Sequence, residues 1–219
     1  MKKAGRTLAW VAVAVFAAGA AWAQEADTFP EPDISALPPG LYAVLNTSRG
    51  YILAELFEKE VPITTLNFVA LANGKRDWID PKTHKAVTRP LYHEITFHRV
   101  ISQFMIQTGD PTGVGDHDCG FLLPDEIKPD LKFDRPGRLA MANLQRPNSG
   151  SCQFFITETE QPSLDGKFTI FGQVLDGMDV VKQISRVVVD SHDKPRANIM
   201  LHDVLIVRKT APVARPAAK

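Results

Sequence analysis

His93 and His98 close the run His93-Glu94-Ile95-Thr96-Phe97-His98, which superficially matches the metal-binding helix of a zinc protease. That site needs histidines four apart, so that both face one ion. Here they are five apart, and on a β-strand an odd offset sends them to opposite faces, so they read as structural histidines with no metal between them. Gly109, Gly113, Gly115 and Gly120 surround Asp110-Pro111-Thr112, yet no Lys-Ser or Lys-Thr follows a glycine and no helix comes next; the run reads as a long turn rather than a phosphate loop. Ser149 lacks a histidine and an acid in recognisable contexts, which argues against hydrolase chemistry. Cys119 and Cys152, the only cysteines, either pair, as thiols do in an oxidising compartment, or stay as two half-buried thiols. Spacing alone does not decide between these.

Five dense blocks hold the remaining chemistry: Phe97-His98-Arg99-Val100-Ile101, Phe104-Met105-Ile106-Gln107-Thr108-Gly109-Asp110, Met141-Ala142-Asn143, Gln153-Phe154-Phe155-Ile156-Thr157 and Leu164-Asp165-Gly166-Lys167-Phe168-Thr169-Ile170-Phe171-Gly172. Taken singly, Phe104, Met105 and Phe155 are core residues and Arg99 a surface ion-pairing cation.

The elements that position these blocks are short. Leu41 to Asn46 and Tyr51 to Leu56 are β-rich runs around Thr47-Ser48-Arg49-Gly50, a spacing that predicts a hairpin with Gly50 at positive φ. Val61, Thr64, Phe68 and Leu71 recur at helical steps after Pro62 and stop at Asn73-Gly74. Ile63, Leu66 and Ala70 form a second apolar stripe, which predicts a helix covered on more than one side. Lys75 to Pro90 is a polar surface excursion with the makings of a small hairpin. Ile95 to Val100, Phe104 to Gln107, Arg138 to Ala142, Phe154 to Thr157 and Phe168 to Val174 read as strands, Met178 to Ile184 as a second helix, and Ile199 to Val207 as a closing strand. Many short strands with two helices favour a closed, mainly antiparallel barrel over a βαβ fold.

At the N-terminus, Met1-Lys2-Lys3-Ala4-Gly5-Arg6, an apolar run from Leu8 to Ala20 and Ala21-Trp22-Ala23 have the form of a cleavable export signal ending at residue 23. The apolar run is shorter than the ~20 residues that span a bilayer. Residues 24 to 40 are acidic and Pro-rich, as in an extended linker, residues 41 to 209 form one domain, and residues 210 to 219 a frayed, disordered tail. The chain has 25 basic and 25 acidic residues, and loss of Lys2, Lys3 and Arg6 with the leader leaves it slightly acidic, which argues against a nucleic-acid partner.

Over Leu41 to Val207 the five blocks, in order and at near-family separations, resemble the cyclophilins. The resemblance implies a mainly β, closed eight-stranded antiparallel barrel capped by two α-helices, and a peptidyl-prolyl cis-trans isomerase that needs no cofactor. It implies that Arg99, Gln107 and Asn143 are catalytic and that Phe104, Met105, Ala142, Gln153, Phe155, Leu164 and Phe168 bind substrate. Arg99 would then sit in an apolar groove and hydrogen-bond the prolyl nitrogen. Partners would be proline-containing polypeptides of the periplasm, met by a monomer with no membrane attachment after signal cleavage. The alternative is a peptide-binding chaperone or assembly module of the same fold without useful turnover.

The chain departs from the family pattern in places. Ser163 stands where many eukaryotic members have a tryptophan that contacts cyclosporin, and Phe168 replaces a frequent histidine, so weak cyclosporin binding is expected. Leu144, Gln145 and Arg146 lengthen the loop before Gln153 by about one residue. In the resembling fold the altered loop Gly113 to Gly120 lies near the segment holding Cys152, which implies a Cys119 to Cys152 disulfide.

Overall fold

The computed structural model describes residues 32–211. The export signal, the first part of the expected linker and nearly all of the expected tail lie outside the described residues. In chain order the elements are β1 (Gly40–Thr47), β2 (Gly50–Leu56), α1 (Pro62–Ala72), β3 (Trp78–Asp80), β4 (Lys85–Val87), β5 (Ile95–Thr96), β6 (Arg99–Ile101), β7 (Met105–Thr108), β8 (Arg138–Met141), β9 (Phe154–Thr157), β10 (Ile170–Asp176), α2 (Met178–Ser185) and β11 (Met200–Lys209).

β1 and β2 form the expected hairpin, with Thr47 opposite Gly50. Gly50 has a φ of 126°, open to glycine, and the Thr47 hydroxyl donates to its carbonyl at 2.7 Å, closing the turn. Alternation on β1 sends Leu41, Ala43 and Leu45 into the main core. Tyr42 and Val44 face the other way, where Leu53 and the partly buried Ile34 and Leu37 cover them. The described part of the expected linker therefore packs on the sheet, although it has no helix or strand before Gly40.

Pro62 opens α1 at a position that has no need of its missing N–H. The next two amides, of Ile63 and Thr64, donate to the Glu126 carboxylate at 3.1 and 2.7 Å, so a distant loop caps this helix. Phe68 and Leu71 are fully buried, whereas Ile63 and Leu66 are 48% and 56% exposed. The second apolar stripe therefore stands open, which corrects the expectation of a helix covered on two sides. The excursion after α1 does fold as a hairpin, β3 with β4, and docks by burying Trp78, whose Nε1 donates to the Arg89 carbonyl.

The other strands make one curled antiparallel sheet of nine, in the order β5-β11-β1-β2-β10-β8-β9-β7-β6. Eight were expected. The difference is local: the run read as one strand from Ile95 to Val100 breaks at Phe97-His98, so that β5 pairs with β11 and β6 with β7. The end strands of the sheet are thus consecutive in the chain. Phe168 also lies outside the strand it was expected to begin, because the ladder starts at Ile170. Inside the curl, Phe68, Tyr92, Phe154 and Phe171 meet at centroid separations of 5.1 to 6.2 Å, all tilted or edge-on. No described helix is long and apolar enough to cross a membrane.

Candidate active-site groove

The outer face of β6, β7, β9 and β8 carries the groove. Register sets it: Arg99 lies opposite Gln107, Gln107 opposite Phe155, and Phe155 opposite Ala140. Cross-strand partners share a face, so these four make one row, with Ile101 and Met105 two residues on along the same face. The alternate residues Val100, Ile106, Phe154 and Ile156 enter the main core. One short strand pattern therefore serves both the fold and the site.

Met105, Ala140 and Phe155 are buried together with Phe133 and Ile170 in an apolar cluster separate from the main core. Phe104, Ala142, Leu164 and Phe168 pack on it half-buried. All the apolar residues expected to bind substrate are thus brought together. Phe155 stacks on Phe133 at 6.0 Å and meets Phe168 edge-on at 5.3 Å, so Phe168 forms a wall of the cluster. The tight turn before β7 aims Phe104: Gln103 takes a φ of 59°, its N–H donates to the buried Glu158 carboxylate, and the Glu158 N–H donates to the Phe104 carbonyl at 2.8 Å.

Polar groups edge this cluster. The Arg99 side chain is 45% exposed, so it stands at the groove edge, partly in water, rather than deep within it. Its Nε lies 3.5 Å from Oδ2 of Asp193. Gln107 Nε2 donates to Gln153 Oε1 at 2.9 Å, and Gln153 Nε2 donates to the carbonyls of Gly115 and His117, both at 3.1 Å. Asn143 Nδ2 donates to the Lys167 carbonyl and its Oδ1 accepts the Gln145 N–H, so both ends of its amide are engaged within the protein.

The glycine-rich segment is the long turn read from the sequence. The buried Asp110 organises it by accepting the N–H groups of Thr112 and Gly115 and the Thr112 hydroxyl. His98, beside Arg99, is buried with neither ring nitrogen hydrogen-bonded, and burial pushes its pKa down against the opposing pull of the Asp110 carboxylate and the nearby Gln153 amide. The two histidines do part company as expected, His93 being exposed. Cys119 and Cys152 form a disulfide, with Cα atoms 6.2 Å apart, that joins this turn to the segment leading into β9. The Tyr92 hydroxyl donates to the Cys152 carbonyl and Asn67 Nδ2 to that of Ser151, which anchors the same segment from the core.

Sequence reasoning missed Phe133 and Asp193. Phe133, a lone aromatic in Lys132-Phe133-Asp134, gave a weak signal by standing in a charged loop. Arg138 holds that loop, donating to the Lys132 carbonyl and to Asp134. Asp193 gave none.

Comparison with known proteins agrees with this geometry. The family described as cyclophilin type peptidyl-prolyl cis-trans isomerase/CLD matches residues 42–206. Peptidyl-prolyl cis-trans isomerase A of Mycobacterium tuberculosis is 42% identical over 166 residues, covering 75% of this chain and 91% of that protein. Peptidyl-prolyl cis-trans isomerase B of Streptomyces anulatus is 43% identical over 166 residues, covering 76% and 93%. Among solved structures, a Cryptosporidium parvum cyclophilin type peptidyl-prolyl cis-trans isomerase, crystallised in the presence of the dipeptide Ala-Pro, superposes with a TM-score of 0.67 at 33% identity, covering 77% of this chain and 99% of that one. A row of Arg99, Gln107 and Phe155 over a separate apolar cluster, on a sheet matched along most of its length by these relatives, places the chain in the cyclophilin family of peptidyl-prolyl cis-trans isomerases.

Proposed function

We propose that this isomerase turns X-Pro bonds in the groove described above, with Arg99 as its principal catalytic residue. Amide resonance sets a barrier of ~18 to 20 kcal/mol, and the uncatalysed change takes tens to hundreds of seconds. A guanidinium can donate to the prolyl nitrogen as it becomes pyramidal, and being always charged it needs no proton transfer. The register of Arg99 against Gln107, next to the Met105 and Phe155 surface, is the observation that carries this reading.

One charge-assisted hydrogen bond contributes about 1.5 to 3 kcal/mol, which is only about ten- to 150-fold in rate. The remainder comes from gripping the proline ring against Phe104, Met105, Phe155, Leu164 and Phe168 while the flanking peptide swings. Gln107 holds the substrate backbone beside Ala142, and Gln153, engaged at both ends of its amide, lines the groove and fixes the Gln107 side chain. Asn143 acts through its main chain, because its side-chain amide is already committed to Lys167 and Gln145. The Ala-Pro dipeptide present with the Cryptosporidium relative fits this substrate class. Residues 95 to 101 work as one bent strand that closes the sheet into an eight-stranded barrel.

The setting we propose is the periplasm. The leader-like first 23 residues and a disulfide between the groove-side loops both suit an oxidising, extracytoplasmic compartment, and the clients would be exported polypeptides met by a monomeric enzyme. Acceleration of cis-to-trans relaxation in an Ala-Pro peptide tests the activity; a rate equal to that of buffer contradicts it. N-terminal sequencing of the secreted form tests the setting, with Gln24 expected first.

A further inference from the structure

Phe104 is carried into the groove by the turn Ser102-Gln103, both of whose residues are exposed. Gln103 takes a φ of 59°, a left-handed conformation that glycine adopts freely and a residue with a side chain does not. We propose that Glu158 is a positioning residue for the isomerase reaction, its buried carboxylate holding Gln103 in that conformation and so keeping the Phe104 ring on the cluster of Met105 and Phe155. The inference rests on the proline-groove reading above and adds to it the group that sets the shape of the pocket.

Both backbone groups of Gln103 are held by side chains of one short segment, which follows β9. The Gln103 N–H donates to Glu158 Oε2. Its carbonyl accepts the Thr159 hydroxyl at 2.8 Å and Gln161 Nε2 at 3.2 Å. The same segment reaches other members of the apolar cluster: the Gln161 N–H donates to the Phe133 carbonyl at 2.7 Å, and the Gln161 carbonyl accepts the Leu164 N–H at 2.9 Å. The hydrogen bonds around Glu158 thus run to the cluster that lines the groove.

Burying a carboxylate costs stability unless the charge is paired. Glu158 is 3% exposed, and its one ion-pair partner among the described residues is Arg186, just past the end of α2, at 3.8 Å with a side chain 67% exposed. So exposed a cation contributes little, which leaves the Gln103 N–H as the main group that offsets burial of the charge. Strand pairing does not call for it, because Met105 already lies opposite Thr157 in the β7–β9 ladder. Nor does the main core, because Phe104 packs on the separate cluster of the groove. What the charge fixes is the pocket, at the residue where the backbone is under strain.

The test measures kcat/KM on an Ala-Pro peptide, and peptide affinity, for wild type, Glu158→Ala and Glu158→Ala combined with Gln103→Gly, with circular dichroism to show that each is folded. Glu158→Ala should lower kcat/KM about three- to ten-fold and bind the peptide more weakly. Glycine holds a positive φ without help, so the double variant should return to within about two-fold of wild type. A merely structural role for Glu158 predicts no such rescue, since glycine supplies no contact in place of the carboxylate. If Glu158→Ala does not fold, Glu158→Gln takes its place; it keeps the shape and an acceptor but loses the charge, and a loss of about two- to three-fold with the same rescue is expected. Unaltered activity in the folded Glu158 variant, or a loss that Gln103→Gly does not repair, overturns this inference and leaves the isomerase reading standing. No turnover by the wild type overturns both.

Discussion

Asp193 reaches Arg99 from the turn before β11, its Oδ2 lying 3.5 Å from the guanidinium Nε. The turn itself is well fixed. Asp193 takes a φ of 61°, its N–H donates to the Asp190 carbonyl, its own carbonyl accepts the Val100 N–H at 2.8 Å, and the Asp190 side chain accepts the amides of His192 and Lys194. A carboxylate at Nε leaves the two terminal nitrogens of the guanidinium for substrate. Both side chains are about two-fifths exposed, so the pair adds little to stability, within about 1 kcal/mol.

Asp193→Asn keeps the size and the tolerance of positive φ but removes the charge. It should lower kcat about two- to five-fold, leave KM nearly unchanged and leave stability within about 0.5 kcal/mol of wild type. Steady-state kinetics and a denaturant titration check this. An unchanged kcat contradicts a positioning role.

The disulfide closes a sequence separation of 33 residues between two fully buried positions. In the loop-entropy picture its loss costs about 2 to 4 kcal/mol. A Cys119→Ser/Cys152→Ser variant should show that loss by denaturant unfolding. Thiol counting on the denatured, unreduced wild type should find no free thiol, and two would contradict the bond.

Cyclosporin should inhibit weakly. Ser163 is exposed and offers no indole, and the Phe168 ring is already packed edge-on against Phe155. Titration should show no inhibition at nanomolar concentrations while isomerase activity is retained; tight inhibition in that range contradicts the expectation.

Acid should weaken the fold through His98. Burial lowers its folded pKa below the unfolded value of about 6.5, so its neutral form prevails at pH 7. The unfolded chain binds the extra proton first. Stability is therefore fully present above about pH 6.5 and is lost as pH falls from there through the folded pKa. Tm measured between pH 7.5 and 5 should fall, and a His98→Leu variant, with no ring to protonate, should lose that dependence over the same range.

What could be read from the sequence was local. Gly50 and Gly74 marked chain reversals that need positive φ, and both have it, at 126° and 63°. The Arg99, Gln107 and Phe155 blocks were assigned to one groove through their resemblance to the cyclophilins, not through any pattern of spacing. The misses were long-range. Glu126 caps α1 from 62 to 63 residues away in the chain, Asp193 comes to Arg99 from a turn after α2, and Phe133 enters the groove only because Arg138 and Asp165 hold its loop. The break at Phe97-His98 was missed for a similar reason. The run stays β-rich throughout, and its division depends on β11 pairing with one half and β7 with the other.

In the proposed mechanism the guanidinium of Arg99 acts on the prolyl nitrogen. Measurement of kcat/KM on one Ala-Pro peptide for wild type and Arg99→Ala, with peptide affinity titrated in parallel, tests it most directly. A drop of about ten- to 150-fold in kcat/KM is expected, with affinity changed far less. Equal kcat/KM in the two proteins would contradict it.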